Sequence, residues 1–271
     1  MIKNPVPVPK SLLLLAALAS LPASAGAQER SFGDAGCNLR DGETGVVEAV
    51  IDPVTIALQD GSVVRLAALL PAGDPSEAVS LLEDLLIGRA IRLGYGQTDR
   101  NRYGHAVAHI FVSGQPEGWI QAQLILAGRA IVTGHAEGRE CLADLLSSER
   151  TARDNRDGIW SSRTLLSVWS PLLRDVPPRY ELVESRVVSI GRTERTIYLN
   201  FGSDWSIDLT VTIRTQDVAE FESNSVTLDE LVGRAVRIRG WLEQWDGPWI
   251  EIDHPEQIEV LNADDGAVGS S

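Results

Sequence analysis

Lysine is almost missing from this chain of 271 residues: Lys3 and Lys10 are the only two, and every later basic side chain is an arginine. Of 24 Lys and Arg in all, 22 Arg remain beyond residue 10 to face 38 Asp and Glu, a formal charge of −16. A surface of that sign repels phosphate backbones. It argues against bulk electrostatic capture of DNA, RNA or anionic lipid unless arginines are locally concentrated. Cysteine is scarce too, with 2 in the chain, which excludes a disulfide-packed miniature fold. Neither cysteine stands in a C-x-x-C pair or has a histidine within three positions, so a zinc-type ligand set is not written locally. No apolar run beyond residue 27 is long enough to span a bilayer.

What is present begins with an address. Lys3 and Lys10 form a basic start, Ser11 to Leu21 an apolar run, and Ala23-Ser24-Ala25 and Ala25-Gly26-Ala27 two small-x-small cleavage sites. We expect residues 1–27 to be a signal peptide cut after Ala27, leaving Gln28 first; an uncleaved anchor is the alternative. The mature protein is then periplasmic or secreted and has no membrane contact. In an oxidising compartment, Cys37 and Cys141 read most simply as one disulfide closing a long loop, the alternative being a reactive or metal-bound thiol.

Along the chain, two apolar stretches, Val46 to Leu58 and Val63 to Leu70, flank Gln59-Asp60-Gly61-Ser62, a hairpin signal. Asp74-Pro75-Ser76-Glu77 opens a helix with a capping box, continued by Val79, Leu81, Leu82, Leu85 and Leu86. Strands are predicted at Ala90 to Tyr95, His105 to Val112 and Ala130 to Thr133, and helices at about Pro116 to Ala127 and Glu137 to Arg156. Pro171, Pro177 and Pro178 mark a connector. Beyond it, Ile207, Leu209, Val211 and Ile213 alternate with Asp208, Thr210 and Thr212. Further strands are predicted at Glu181 to Ile190, Thr196 to Phe201, Arg234 to Leu242 and Trp249 to Asp253, extending through Ile258 and Val260. A short helix with a Thr/Glu capping box is predicted at Thr227 to Gly233. Five strands with a helix between the third and fourth follow the order of an OB-type barrel. The expected domains are a signal peptide (1–27), an N-terminal segment (28–43), a first domain (44–165), a Pro-rich linker (166–180), an OB-like domain (181–262) and a flexible tail (263–271).

Residues 44–160 resemble the staphylococcal nuclease (thermonuclease) family. The resemblance rests on Ala49-Val50-Ile51-Asp52 with Thr55-Ile56, on Arg65-Leu66-Ala67, on Asp99 to Ala108, on Gly128-Arg129-Ala130, and on Glu149-x-x-Ala152-Arg153 leading to Gly158-Ile159-Trp160. It implies an α+β fold, a five-stranded OB-type barrel with three helices. It also implies metal-assisted phosphodiester hydrolysis, which needs carboxylates for a hard cation, a base for the attacking water and two arginines for the phosphate. The family's Asp-Gly-Asp-Thr, whose second Asp binds metal, reads Asp52-Pro53-Val54-Thr55 here. Its Arg-Leu-x-x-x-Asp-x-Pro-Glu, with a metal-binding Asp and a base-like Glu, reads Arg65-Leu66-Ala67-Ala68-Leu69-Leu70-Pro71-Ala72-Gly73. Its Tyr-Gly-Arg, carrying the second arginine, reads Tyr103-Gly104-His105. Only Arg65 survives, and histidine lacks the bidentate guanidinium fork.

The expectation is therefore an exported thermonuclease-like protein with a degenerate site, acting as a non-catalytic binding or assembly module toward protein, with no cofactor or metal. One alternative is a calcium-dependent nuclease rearranged around Arg65, Asp74, Glu77 and His105; Asp74 and Glu77 repeat the family's Asp-x-x-Glu spacing, though the capping box is the preferred reading and explains them without chemistry. Arg100, Arg102 and Tyr103 are candidate binding residues on that hairpin. His105 and His109 would sit about 13 Å apart on one strand face, too far to share one ion. The other alternative is an oligonucleotide binder using Trp241 and Trp245, within a cluster that includes Trp205 and Trp249 with Arg237 and Arg239 nearby. Residues 175–262 hold 8 Arg against 17 Asp and Glu, which disfavours nucleic acid there and suits a structural role or a protein or glycan surface.

Overall fold

The computed structural model describes residues 37–115, 118–133, 139–162, 166–167, 173, 177–204, 206–224 and 226–261, together with Met1. The expected leader beyond Met1, most of the linker, Trp205 and the tail lie outside the described residues. From Cys37 on, the described residues belong to one compact unit. Among them, no helix is long and apolar enough to cross a membrane.

The first half is built from β1 (Arg40–Asp52), β2 (Thr55–Leu58), β3 (Val63–Leu66), β4 (Leu69–Pro71), α1 (Pro75–Leu86), β5 (Ala90–Tyr95), β6 (Ala106–Val112), α2 (Ile120–Leu126), β7 (Ala130–Val132) and α3 (Leu142–Asn155). Strands β1-β2-β3-β6-β5 close a barrel in which only the β3–β6 pair is parallel. The stretch expected as one run from Val46 to Leu58 is folded into a second hairpin at Asp52-Pro53-Val54-Thr55. Proline cannot donate to a ladder, and the Asp52 carboxylate accepts the Val54 N–H at 2.8 Å, so this turn ends β1. The run from Val63 to Leu70 breaks at Ala68, whose φ of 62° turns the chain out of the barrel, and β4 pairs with β7 instead. Helix α1 starts as its sequence says, with Asp74 accepting from the Ser76 N–H at 2.9 Å and Pro at the first turn. Its capping box is half formed, because Glu77 turns outward to Arg129. Helix α2 opens at Ile120, later than Pro116, with Trp119 at its cap and no side-chain cap bond. The apolar faces of α1, α2 and α3 meet the barrel in one core that includes Val54, Ile56, Leu82, Leu86, Ile110, Leu124 and Leu145.

A disulfide joins Cys37, just ahead of β1, to Cys141 at the start of α3, with Cα atoms 4.9 Å apart across a sequence separation of 104. On the loop-entropy account, a closure of this length contributes about 4–5 kcal/mol.

The second half holds β8 (Leu166–Ser167), β9 (Arg179–Arg186), β10 (Ser189–Arg192), β11 (Thr196–Asn200), β12 (Thr210–Arg214), α4 (Val218–Ser223), β13 (Ala235–Gln244), β14 (Pro248–Ile252) and β15 (Ile258–Val260). Its hydrogen-bonded path is β10-β11-β12-β14-β13-β9-β8, with β15 added on β13. Between β9 and β10 the chain changes neighbours: the Val187 N–H donates to Arg234 O at 3.0 Å, and the Val188 N–H to Asn200 O at 2.8 Å. Taken as one bent strand, β9 and β10 give this half the strand order of the first barrel, including one parallel pair, β12 with β14. The strand expected from Ile207 starts at Thr210. Asp208 is buried and accepts the Asp204 N–H at 2.9 Å, which holds the preceding residues in a turn. The short helix expected at Thr227 is a 3₁₀ turn over Leu228–Leu231 with no side-chain cap bond, and α4 is a helix that the period-two pattern did not announce.

Candidate functional site

The position that a metal-binding carboxylate would take in the hairpin between β1 and β2 is Val54, which is 3% exposed and packed into the barrel core. Its C=O accepts the Leu66 N–H at 2.8 Å, tying the hairpin to the end of β3. Arg65 lies on β3 opposite Thr55 and Val107, half-buried, and its side chain has no hydrogen-bond or ion-pair partner among the described residues. Leu70 packs against the cluster of Ile131, Ala152, Trp160, Tyr180 and Leu182, which joins the two halves. Gly73, where the family motif has its base-like glutamate, has φ 79°, and a Cβ there would lie 2.8 Å from Ile159 Cγ2. A side chain at that position is strained by backbone and neighbour alike.

Asp74 and Glu77 are brought together, but not onto Arg65. Asp74 is bound to the Ser76 N–H and to Ser76 Oγ at 2.8 Å, which holds its carboxyl below the usual range. Glu77 pairs with Arg129, whose backbone C=O also accepts the Ala72 N–H at 3.1 Å. The side chains of Asp74 and Glu77 thus serve the helix start and the strap beside β7.

The hairpin between β5 and β6 carries the remaining candidates. Asn101 Oδ1 accepts the N–H groups of Tyr103 and His105 at 2.9 and 3.1 Å, and Gly104 (φ 79°) completes the turn. His105 therefore sits in the turn, outside β6, whereas His109 is fully buried and its Nδ1 accepts the Trp119 indole N–H at 3.3 Å. The sequence put both histidines on one face of a strand, too far apart to share an ion; of the two, His109 alone lies on β6. Arg100 reaches Gly104 O at 3.2 Å and Glu43 at 3.4 Å. Arg102 lies over the exposed Tyr103 ring, 4.9 Å from its centroid.

A calcium ion of the kind used in this fold needs several converging oxygens. Val54, Leu70 and Gly73 supply none, Asp52 is engaged by the Val54 N–H, and Asp74 caps a helix, so the residues present do not fit the ion. Among the described residues, no three His, Cys, Asp or Glu side chains gather closely enough to hold a metal.

The strongest charge cluster lies elsewhere. Arg239 on β13, 1% exposed, extends out of the second half to Glu149 on α3 at 3.0 and 3.2 Å, to Val132 O at 3.2 Å and to Glu259 at 2.8 Å. Glu149 also accepts the Val132 N–H at 2.8 Å and pairs with Arg153 at 3.2 Å. Arg237 joins Glu184 at 2.5 Å and Glu259. Burial pulls the Arg239 guanidinium toward losing its proton, but Glu149 and Glu259 outweigh it and hold the charge. Burial likewise pushes the Glu259 carboxyl up, and Arg239, Arg237 and Arg153 together bring it below the usual carboxylate range. Arg237 and Arg239, expected beside the tryptophans as base-stacking partners, are spent in this network. The sequence signal that could have found it was the alternation on β13, which puts both arginines on one side of a strand whose neighbours are apolar.

The tryptophans separate as well. Trp241 is 41% exposed and meets Tyr180 edge-on at 6.1 Å. Trp245 and Trp249 lie together, 6.3 Å apart, at the turn between β13 and β14. They border a groove of about 650 Å³ on the outer side of β11, β12 and β14.

A closed five-stranded barrel with three helices, keeping one cleft arginine and lacking the carboxylates, places the first half among α+β domains of OB-type nuclease architecture. Residues 75–162 match the family described as Staphylococcal nuclease homologue, and the closed barrel with its helices is consistent with that fold. The match opens at Pro75, so the segments 52–55 and 65–73, where the motif residues are replaced, precede it. No curated protein matches the chain.

Proposed function

We propose that this protein uses a nuclease fold without nuclease chemistry, as a binding or assembly module toward another protein. The observation that carries the reading is the state of the cleft: the hairpin position of the lost carboxylate is a core valine, and the position of the lost base is a glycine at φ 79° where a Cβ would press on Ile159. The groups such an enzyme needs act as a unit, and loss of one can cost orders of magnitude in rate. The acid excess supports the same reading, since it removes the long-range attraction for a polyanion. The test is incubation of the purified mature protein with denatured DNA and millimolar calcium. The DNA stays intact; calcium-dependent cleavage that Arg65→Ala abolishes would establish instead the rearranged site of Arg65, Asp74, Glu77 and His105.

Export to an oxidising compartment belongs to the same proposal. The Cys37–Cys141 bond supports it, because such bonds persist outside the reducing cytosol. N-terminal sequencing of the protein recovered from the periplasm or medium should read from Gln28; recovery only from the cytosol with Met1 retained would reject it.

A further inference from the structure

Every second residue of β11, β12 and β14 belongs to the core: Ile197 and Leu199, Val211 and Ile213, Ile250 and Ile252. The intervening residues face outward. They set Tyr198 opposite Thr212, Asn200 opposite Thr210 and Thr210 beside Trp249. At the head of this surface a tight turn, with Asp246 at φ 51° and the Trp245 N–H donating to Gly247 O at 2.8 Å, raises Trp245 to 73% exposure. Trp249 is fixed by donation of its indole N–H to Thr212 Oγ1 at 2.9 Å. The far side is kept open by Gly191, opposite Tyr198 on β10.

The charge in the groove decides what it can hold. Two lining carboxylates, Asp246 and Glu251, face one lining guanidinium, and Arg214 is already paired with Asp217 at 2.8 Å and Glu251 at 3.5 Å. Arg195, in the turn between β10 and β11, lies outside the lining. Among the described lining residues no unpaired cation is left to meet a phosphate, which a nucleic-acid groove requires in series. Three flat aromatic faces set among hydroxyls, a carboxamide and carboxylates match a ligand with apolar C–H faces and a rim of uncharged hydroxyls. The volume falls in the usual range of small-ligand sites.

We propose that this groove binds an uncharged oligosaccharide, its sugar rings lying on Trp245, Trp249 and Tyr198 and its hydroxyls bonded to Asn200, Asp246 and the threonines. The site is independent of whether the first barrel cuts anything.

The test is tryptophan fluorescence and calorimetric titration of the full mature chain with cellotetraose, maltotetraose and tetra-N-acetylchitotetraose, each to about 10 mM, and with a dodecathymidine strand. At least one of the sugars binds, with an affinity that does not change across a tenfold rise in salt, and Trp245→Ala weakens it about tenfold. Trp245 is mostly exposed, so its loss leaves the fold intact. Gly191→Ile gives a second arm: a Cβ there meets nothing closer than Tyr198 Cβ at 3.6 Å, so the strand accepts it while the added side chain fills the groove and abolishes binding. The proposal is overturned if no sugar binds, if binding survives both substitutions, or if the dodecathymidine alone binds, with steep salt dependence.

Discussion

The two halves of this chain share a strand order and differ in where they keep their polar side chains. In the first barrel, the positions that correspond to the family's motif carboxylates carry no polar side chain: Val54 faces the core, Leu70 packs toward the second half, and Gly73 lies against Ile159. In the second half the outer side of β11, β12 and β14 is lined with hydroxyl, amide and indole groups that the fold does not need for its core. Strand order thus fixes where a groove lies and leaves its chemistry to a few outward positions.

The comparison breaks first at Val54. If the first barrel has become a packing element, returning its carboxylate should cost stability without giving activity. Val54→Asp buries an unpaired charge at a 3% exposed core position and should lower unfolding free energy by about 4–5 kcal/mol, measured by urea titration. Unchanged stability together with calcium-dependent DNA cleavage would mean that the cleft is still a cleft.

Next is the junction, where each half depends on the other. Arg239→Met removes one of the two cations, with Arg153, that Glu149 and Glu259 share inside the protein, and an expected loss of about 3–5 kcal/mol follows. Adding Glu149→Gln should recover part of it. A loss below about 1 kcal/mol would show that the two halves do not lean on one another through this network.

Acid should reach the same place more gradually. The folded-state pKa of Glu259 is depressed from 4.5, so its contribution is complete above the unfolded value and falls away as pH drops through the folded one. Stability followed by thermal melts should therefore decline from about pH 5 downward, and Arg239→Met should flatten that decline. An equally steep decline in the variant would assign the acid sensitivity to other carboxylates.

Much of this was legible in the sequence, and what was not has a physical reason. The strand signals gave β5 to the residue and β6 to within one, and Asp74-Pro75 gave the start of α1, because these signals are local. The hairpin at Pro53-Val54 was hidden inside an apolar run. The 3₁₀ turn at Leu228 had a helix's caps but too short a span to keep it one. At the site, the departures from the family's motifs at residues 54, 70 and 73 were readable from the resemblance. The alternation on β13 put Arg237 and Arg239 on one side of a strand but did not say where they lead, since burial of an arginine is decided by partners 20 to 107 residues away. For the same reason the groove could not be seen in the tryptophan cluster: of its described members Trp245 and Trp249 border it and Trp241 does not, and its remaining described walls come from residues whose polarity alone suggested an ordinary exposed face.

The smallest effect sharpens the comparison most. If the outer face of the second half is there for a ligand and not for the fold, its residues should be nearly silent in stability. Trp245→Ala should shift unfolding free energy by less than about 0.5 kcal/mol, as an exposed side chain does. Thr212→Val should cost only about 1 kcal/mol, the net worth of the bond from the Trp249 indole. Both are to be read by urea titration beside Val54→Asp. A loss of several kcal/mol from Trp245→Ala would mean that the indole holds the turn between β13 and β14 in place. The polar groove would then be structural like the cleft it is compared with, and the contrast between the two halves would fail.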